Sequence, residues 1–119
     1  MPLWSEPKDA AHIHDMLEAL RLIRDLIDGE DEHAFLADKS KPHALAMFFV
    51  VLGEAANKVS RSMQTARPDI PWRTVANLRH IIAHEYRRID HSELWRIATT
   101  DAPALSASLP PPPSPPEIL

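Results

Sequence analysis

The sequence contains no cysteine, which excludes a disulfide framework, a cysteine nucleophile and a cysteine-ligated zinc or iron–sulfur site. Only two glycines and 6% aromatic residues disfavour a β-sandwich or β-barrel, because these folds need many glycine turns and aromatic strand residues. The longest apolar run, residues 44–52, has nine residues, whereas about 18 are needed to cross a bilayer. No basic segment followed by an apolar run opens the chain, so we expect a cytoplasmic protein that contacts no membrane.

What the chain does contain is typical of one small globular domain. Of its 119 residues, 45% are hydrophobic, 25% are charged and 12 are proline. The charge is unevenly distributed: residues 1–57 carry 5 Lys and Arg against 11 Asp and Glu, whereas residues 58–91 carry 7 against 3 and also three histidines. This basic stretch suits contact with a phosphate backbone or an acidic partner, and it equally suits a solvated face of mixed charge.

Apolar residues at three- and four-residue spacing predict an all-α fold, a compact bundle of four to five helices. Ser5 is the expected cap of the first helix, and Asp90 with Glu93 resembles a capping box before the last. The predicted helices span residues 8–27, 33–38, 42 to 63 or 64, 71–86 and 93–100. The expected buried stripe of the first helix comprises Ile13, Met16, Leu17, Leu20, Ile23 and Ile27.

The third predicted helix is apolar on all sides over residues 44–52. In a chain this small, such a helix indicates that one side faces a second copy, which predicts a homodimer. Gly53 follows, and glycine inside a helix costs about 1 kcal/mol relative to alanine, so we expect a neighbouring backbone to approach there. Glu54 is either an ordinary surface carboxylate or the partner of a basic group in a site.

The composition changes after residue 109. Six of residues 110–116 are proline, which excludes a helix and favours polyproline-II geometry. We therefore expect a helical domain over residues 1–109 and a proline-rich tail over residues 110–119. A disordered tail is the favoured interpretation, and docking on an aromatic groove is the alternative.

The residues that suit chemistry lie near the end of the fourth predicted helix, at Arg79, His80, His84 and Tyr86. At 100° per residue, Arg79 and His84 project about 140° apart, whereas Arg79 and Tyr86 nearly eclipse. A site that uses Arg79 and His84 together therefore requires either a bend at the helix end or a second copy of the chain.

Several kinds of site compete for this segment. His80 and His84 have the spacing of two metal ligands on a helix, but Ile81 stands where zincins have glutamate and no third ligand follows, so we expect no metal. A glycine-rich phosphate loop and a nucleophile elbow are both missing. Arginine with histidine suits phosphodiester cleavage, since arginine stabilises developing negative charge and histidine accepts the 2′-hydroxyl proton. A basic helix end that complements the helix dipole has the same composition.

Residues 79–86 are part of a longer series of short motifs in the sequence. They are Gly53-Glu54-Ala55-Ala56, Pro68-Asp69-Ile70-Pro71-Trp72, Arg79-x4-His84-x-Tyr86, Ile89-Asp90, Leu94-Trp95 and Pro103-x-Leu105. In order and spacing, from about residue 13 to residue 109, the chain resembles the HepT-like toxins of the HEPN superfamily. The resemblance implies a helical dimer with the arginine and histidine of both copies around a cleft.

The resemblance also implies a function, the toxin of a type VII toxin–antitoxin system. Arg79 and His84 would form the catalytic pair of a metal-independent, cofactor-free RNA endonuclease, with His80 and Glu54 in support. A minimal nucleotidyltransferase antitoxin of the MntA type would neutralise it by transferring AMP from ATP to Tyr86. One departure is His80, where such proteins most often have asparagine. The alternative function is a non-catalytic subunit that binds the nucleotidyltransferase and is modified at Tyr86.

Overall fold

A computed structural model describes residues 2–113, and all regular structure in this range is helical. The α-helices are α1 (Asp9–Ile27), α2 (Glu32–Ala37), α3 (Lys41–Lys58), α4 (Arg61–Ala66), α5 (Trp72–Glu85), α6 (His91–Arg96) and α7 (Ala102–Ser108). A 3-10 turn, Tyr86–Arg88, follows α5, and a π-helical stretch, Ile97–Asp101, joins α6 to α7. The prediction of an all-α bundle is confirmed.

The core forms where α3 packs against α1 on one side and α5 on the other. The apolar stripe predicted for α1 is buried at four positions and half-buried at Leu17 and Ile27. From α3 the core receives Leu45, Phe49 and Leu52. Burying each such side chain contributes about 1.5–3 kcal/mol, so this central helix holds the bundle together.

The predicted third helix is wrong in its extent, because the chain leaves helical geometry at Val59. Ser60 donates from its backbone N and from its Oγ to the carboxylate of Asp9, at 2.9 and 2.5 Å. The same Oγ accepts from the backbone N of Met63 at 3.1 Å, so Ser60 caps a separate helix, α4. A capping serine bound to a buried carboxylate therefore interrupts the helix at this point.

The start of the first predicted helix and the end of the last one also differ from expectation. Ser5 does not cap α1, since its backbone N bonds to the Pro2 carbonyl in a preceding turn and the helix begins at Asp9. Asp90 does cap α6, accepting from the backbone N of Ser92 at 2.9 Å. The helical path then continues to Ser108 rather than ending at residue 100.

A π-helical turn allows this continuation past a proline. Pro103 has no N–H to donate, which would leave a carbonyl of a regular α-helix unpaired. The backbone N of Ala102 instead reaches back five residues to the Ile97 carbonyl. This wider turn admits the proline, and α7 follows without a break.

The loop before α5 is tied down at several points, which fixes where α5 begins. The Arg67 guanidinium donates to the Asp69 carboxylate, and this hydrogen bond holds the pKa of Asp69 below its usual range. Arg67 also donates to the Ser108 carbonyl at 2.8 Å. The backbone carbonyl of Arg67 accepts a hydrogen bond from the Trp72 indole at 2.9 Å, and Trp72 is the first residue of α5.

The first tail residues lie against the bundle. Pro110 is buried, and the Pro113 carbonyl accepts a hydrogen bond from His14 Nε2 at 2.8 Å. Residues 114–119 of the predicted tail lie outside the described residues. In the part of the chain that the structure describes, no helix has the length and apolar character to cross a membrane.

The Asp9–Ser60 contact generates the first testable prediction. Asp9 is only 2% exposed, so Asp9→Ala leaves the Ser60 N–H without its acceptor. We expect the free energy of unfolding to fall by about 1–3 kcal/mol, measured by urea denaturation with circular dichroism. Asp15→Ala removes an exposed carboxylate from the same helix and should change it by less than about 0.5 kcal/mol. Equal effects of the two variants would contradict the assignment.

Candidate active site

The backbones of α3 and α5 come into close contact at Gly53. A Cβ atom at this position would lie 2.9 Å from both the Arg79 backbone N and the Val75 carbonyl oxygen. Real Cβ contacts are essentially never that short, so glycine is required. The predicted close approach is confirmed, and the neighbour is α5 of the same chain.

Two side-chain contacts show that α3 and α5 run antiparallel. Glu54, near the end of α3, pairs with Arg79 in the middle of α5. His43, in the first turn of α3, contacts Tyr86 just beyond the end of α5. The polar groups predicted for the site therefore lie on one pair of helices.

The Arg79–Glu54 ion pair joins Arg79 Nε to Glu54 Oε2. Glu54 thus has the basic partner that its second interpretation expects, and its membership of a functional site stays a prediction. The two side chains are 50% and 41% exposed, and ion pairs this exposed contribute about 0–1 kcal/mol to stability. The pair therefore serves mainly to orient the Arg79 guanidinium at the surface.

His80 and His84 form a second contact on α5. Their ring centroids are 4.2 Å apart, and both side chains are exposed. Within residues 2–113, no group of three His, Asp or Glu side chains is arranged to hold a metal ion. His80 also borders a groove of about 450 Å³ beside α5. The lining residues are Asn57, Gln64, Trp72, Arg73, Ala76, Asn77, Arg79 and His80.

Arg79 and His84 project from different sides of α5. The helix stays α-helical through Glu85, so the two side chains leave its axis about 140° apart. Arg79 contacts Glu54, whereas the His84 ring contacts the His80 ring. One of the two expected alternatives, a bend of the helix end between them, is therefore wrong.

Tyr86 lies in the 3-10 turn, with its hydroxyl 2.5 Å from His43 Nδ1. The His43 ring also contacts His91 edge to face, with centroids 5.6 Å apart. Tyr86 remains 49% exposed. Sequence reasoning missed His43 and His91, because no local spacing connects either of them to Tyr86.

An exposed apolar strip separates these polar contacts. Met47 is 59% exposed and Val51 45%, and both lie on α3 between His43 and Glu54. Residues 44–52 are thus buried on one side, and the other side presents large apolar side chains to solvent. This strip is the side of residues 44–52 that the sequence analysis expects to face a second copy of the chain.

Residues 16–110 match the family model described as Ribonuclease HepT-like. The chain belongs to this family. A Thermococcus cleftensis protein named "Probable ribonuclease HepT" is 30% identical over 94 residues, which cover 79% of this chain and 86% of the relative. No solved structure matches the chain.

A second relative comes from Methanocaldococcus jannaschii and is named "Putative RNase MJ1380". It is 27% identical over 95 residues, 80% of this chain and 87% of the relative. These findings confirm the family expected from the motifs, the HepT-like ribonucleases of the HEPN type. The site combines an oriented, permanently charged arginine with exposed imidazoles, which are groups suited to phosphodiester chemistry.

Proposed function

We propose that this HepT-like chain is the toxin of a toxin–antitoxin pair and cleaves RNA without a metal ion, using Arg79 and His84. His84 removes the proton of a ribose 2′-hydroxyl, whose oxygen attacks the adjacent phosphorus. The bond to the 5′-oxygen breaks and that oxygen takes up a proton from water, which leaves a 2′,3′-cyclic phosphate on one fragment and a 5′-hydroxyl on the other. Arg79 stabilises the negative charge that develops on the phosphorus oxygens.

The oriented Arg79 guanidinium is the observation that carries this proposal. Glu54 engages Nε, so the two Nη groups can turn toward a phosphate. With half of the side chain exposed, an RNA backbone can reach them. Glu54 therefore acts as a positioning residue for Arg79.

Further polar side chains on α5 supply a path for the RNA backbone. At 100° per residue, Arg73, Asn77, His80 and His84 fall within about 60° of one another on the helix. All four are exposed, and they lie in the basic part of the sequence. His80 keeps a hydrogen-bonding side chain where related toxins most often have asparagine, so it can contact a phosphate beside the cleaved bond.

A homodimer completes the site in this proposal. Because α5 does not bend between Arg79 and His84, one copy of the chain presents them in different directions. A second copy that covers the Met47 and Val51 strip would bring the α5 helices of the two copies near a shared cleft. Burial of this strip favours association through the hydrophobic effect.

Neutralisation is proposed to occur at Tyr86, by AMP transfer from a nucleotidyltransferase antitoxin. Tyr86 follows Arg79 by seven residues, in the 3-10 turn directly after α5, and it is half exposed. Arg87 and Arg88 directly follow Tyr86 in the sequence. The phosphate of an attached AMP group would form charge-assisted hydrogen bonds with these arginines. It then occupies space that the RNA backbone requires.

The catalytic proposal predicts the effect of two substitutions. His84→Ala should lower the rate of RNA cleavage about 10²-fold or more, and Arg79→Ala about 10²- to 10³-fold, measured on labelled RNA in EDTA. Arg24→Ala, which removes an exposed arginine of α1, serves as the matched control and should cleave like the wild type. Activity that disappears in EDTA and returns with a divalent ion would contradict the mechanism. Intact AMP transfer to Tyr86 without RNA cleavage would favour the alternative, a non-catalytic subunit.

The dimer proposal is tested by Met47→Lys. A charge in the middle of the apolar strip should convert a wild-type dimer into a monomer at micromolar concentration, measured by light scattering. Ala11→Lys adds the same charge to an exposed position of α1 and should leave the dimer intact. A wild-type monomer under these conditions would refute the dimer.

Tyr86→Phe tests neutralisation. This variant keeps the ring but has no acceptor oxygen, so we expect it to remain toxic in cells that also make the antitoxin. Mass spectrometry of the co-expressed wild-type chain should show AMP on the Tyr86 peptide. An unmodified peptide, in cells where toxicity is suppressed, would mean that the antitoxin acts by binding alone.

A further inference from the structure

We propose that His43 is the proton acceptor that makes the Tyr86 hydroxyl reactive, an inference that rests on Tyr86 being the AMP acceptor. Nδ1 of His43 lies 2.5 Å from the Tyr86 oxygen, within hydrogen-bond distance of the atom that would form the new bond. The two residues are 43 positions apart in the sequence, and the antiparallel packing of α3 and α5 brings them together.

The geometry holds the imidazole in the orientation that this role needs. The His43 and Tyr86 ring centroids are 5.7 Å apart with 31° between the planes. His91 packs against the same imidazole at 81°, edge to face. The His43 ring thus has two aromatic neighbours, and their contacts restrict its rotation. When Nδ1 accepts from the tyrosine, the ring proton resides on Nε2.

In the proposed step, AMP passes from a nucleoside triphosphate to the Tyr86 oxygen. The Tyr86 oxygen attacks the α-phosphorus of a nucleoside triphosphate supplied by the antitoxin, and a new oxygen–phosphorus bond forms. The bond between the α-phosphorus and the bridging oxygen to the β-phosphate breaks, and pyrophosphate leaves. The phenolic proton passes to His43 Nδ1, which becomes imidazolium and later releases the proton to water. Tyr86 is 49% exposed, so a triphosphate can approach this residue from solvent.

His43 lies outside the proposed ribonuclease machinery. Arg79 and Glu54 contact each other farther along the helix pair, and the His84 ring contacts the His80 ring. Of the atoms proposed to react, the one that His43 contacts is the Tyr86 oxygen. The inference therefore adds a residue on the toxin itself that promotes its own neutralisation.

A chemical probe tests the activation without the antitoxin. Tyr86 is the one tyrosine of the chain, so O-acetylation by N-acetylimidazole, followed by mass spectrometry, reports on this residue alone. Wild type should acetylate about tenfold faster than His43→Gln, which keeps a hydrogen-bond acceptor but is not a base. His33→Gln, on the exposed surface of α2, is the matched control and should react like the wild type. Equal rates in wild type and His43→Gln would overturn the proposal.

AMP transfer tests the role in modification. With purified antitoxin and ATP, His43→Gln and His43→Ala should transfer AMP to Tyr86 about 10²-fold more slowly, and added imidazole should restore much of the rate in His43→Ala. Imidazole would not restore a role that is only structural. Since His43 is exposed, we expect both variants to keep the wild-type circular dichroism spectrum.

The two assays separate the inference from the proposal on which it depends. If wild-type Tyr86 receives no AMP while acetylation still requires His43, the neutralisation mechanism fails and activation of Tyr86 by His43 stands. If AMP transfer proceeds at the wild-type rate in both His43 variants, the inference is overturned and Tyr86 remains the acceptor.

Discussion

The close backbone contact at Gly53 is the constraint on which the arrangement of this site depends. One of the two atoms that leave no room for a Cβ is the backbone N of Arg79, the residue to which we assign charge stabilisation. The contact fixes the position of α5 along α3. With that position set, Glu54 lies beside Arg79, and the first turn of α3 lies beside Tyr86. A larger side chain at residue 53 would force the two helices apart.

Features that depend on local chemistry could be predicted from the sequence. The helical periodicity predicted the all-α fold, a glycine inside an apolar helix predicted close packing, and Asp90 was recognised as a cap. The break at Val59 could not be predicted in this way, because the acceptor that holds Ser60 is Asp9, 51 residues away. The length of the last helical segment was underestimated because a π turn accommodates Pro103.

The candidate site shows the same division between local and tertiary information. The arginine, histidine and tyrosine of the motif could be selected from their order in the sequence, with the family resemblance as support. Spacing alone left two arrangements open for Arg79 and His84, and only the regular course of α5 removes one of them. His43 carried no sequence signal, since its relation to Tyr86 exists only once α3 and α5 pack together.

The antiparallel packing of α3 and α5 couples the Arg79–Glu54 contact to the Tyr86–His43 contact. Arg79 lies in α5 and Tyr86 in the 3-10 turn that follows it, about 10 Å farther along the helical path, and each makes a polar contact with a side chain of α3. Any sliding or rotation of α5 against α3 would disturb both contacts in the same movement. A group added at Tyr86 that displaces the ring from His43 would therefore exert leverage on Glu54 and Arg79. Mechanical coupling of this kind would add to any direct obstruction of the cleft.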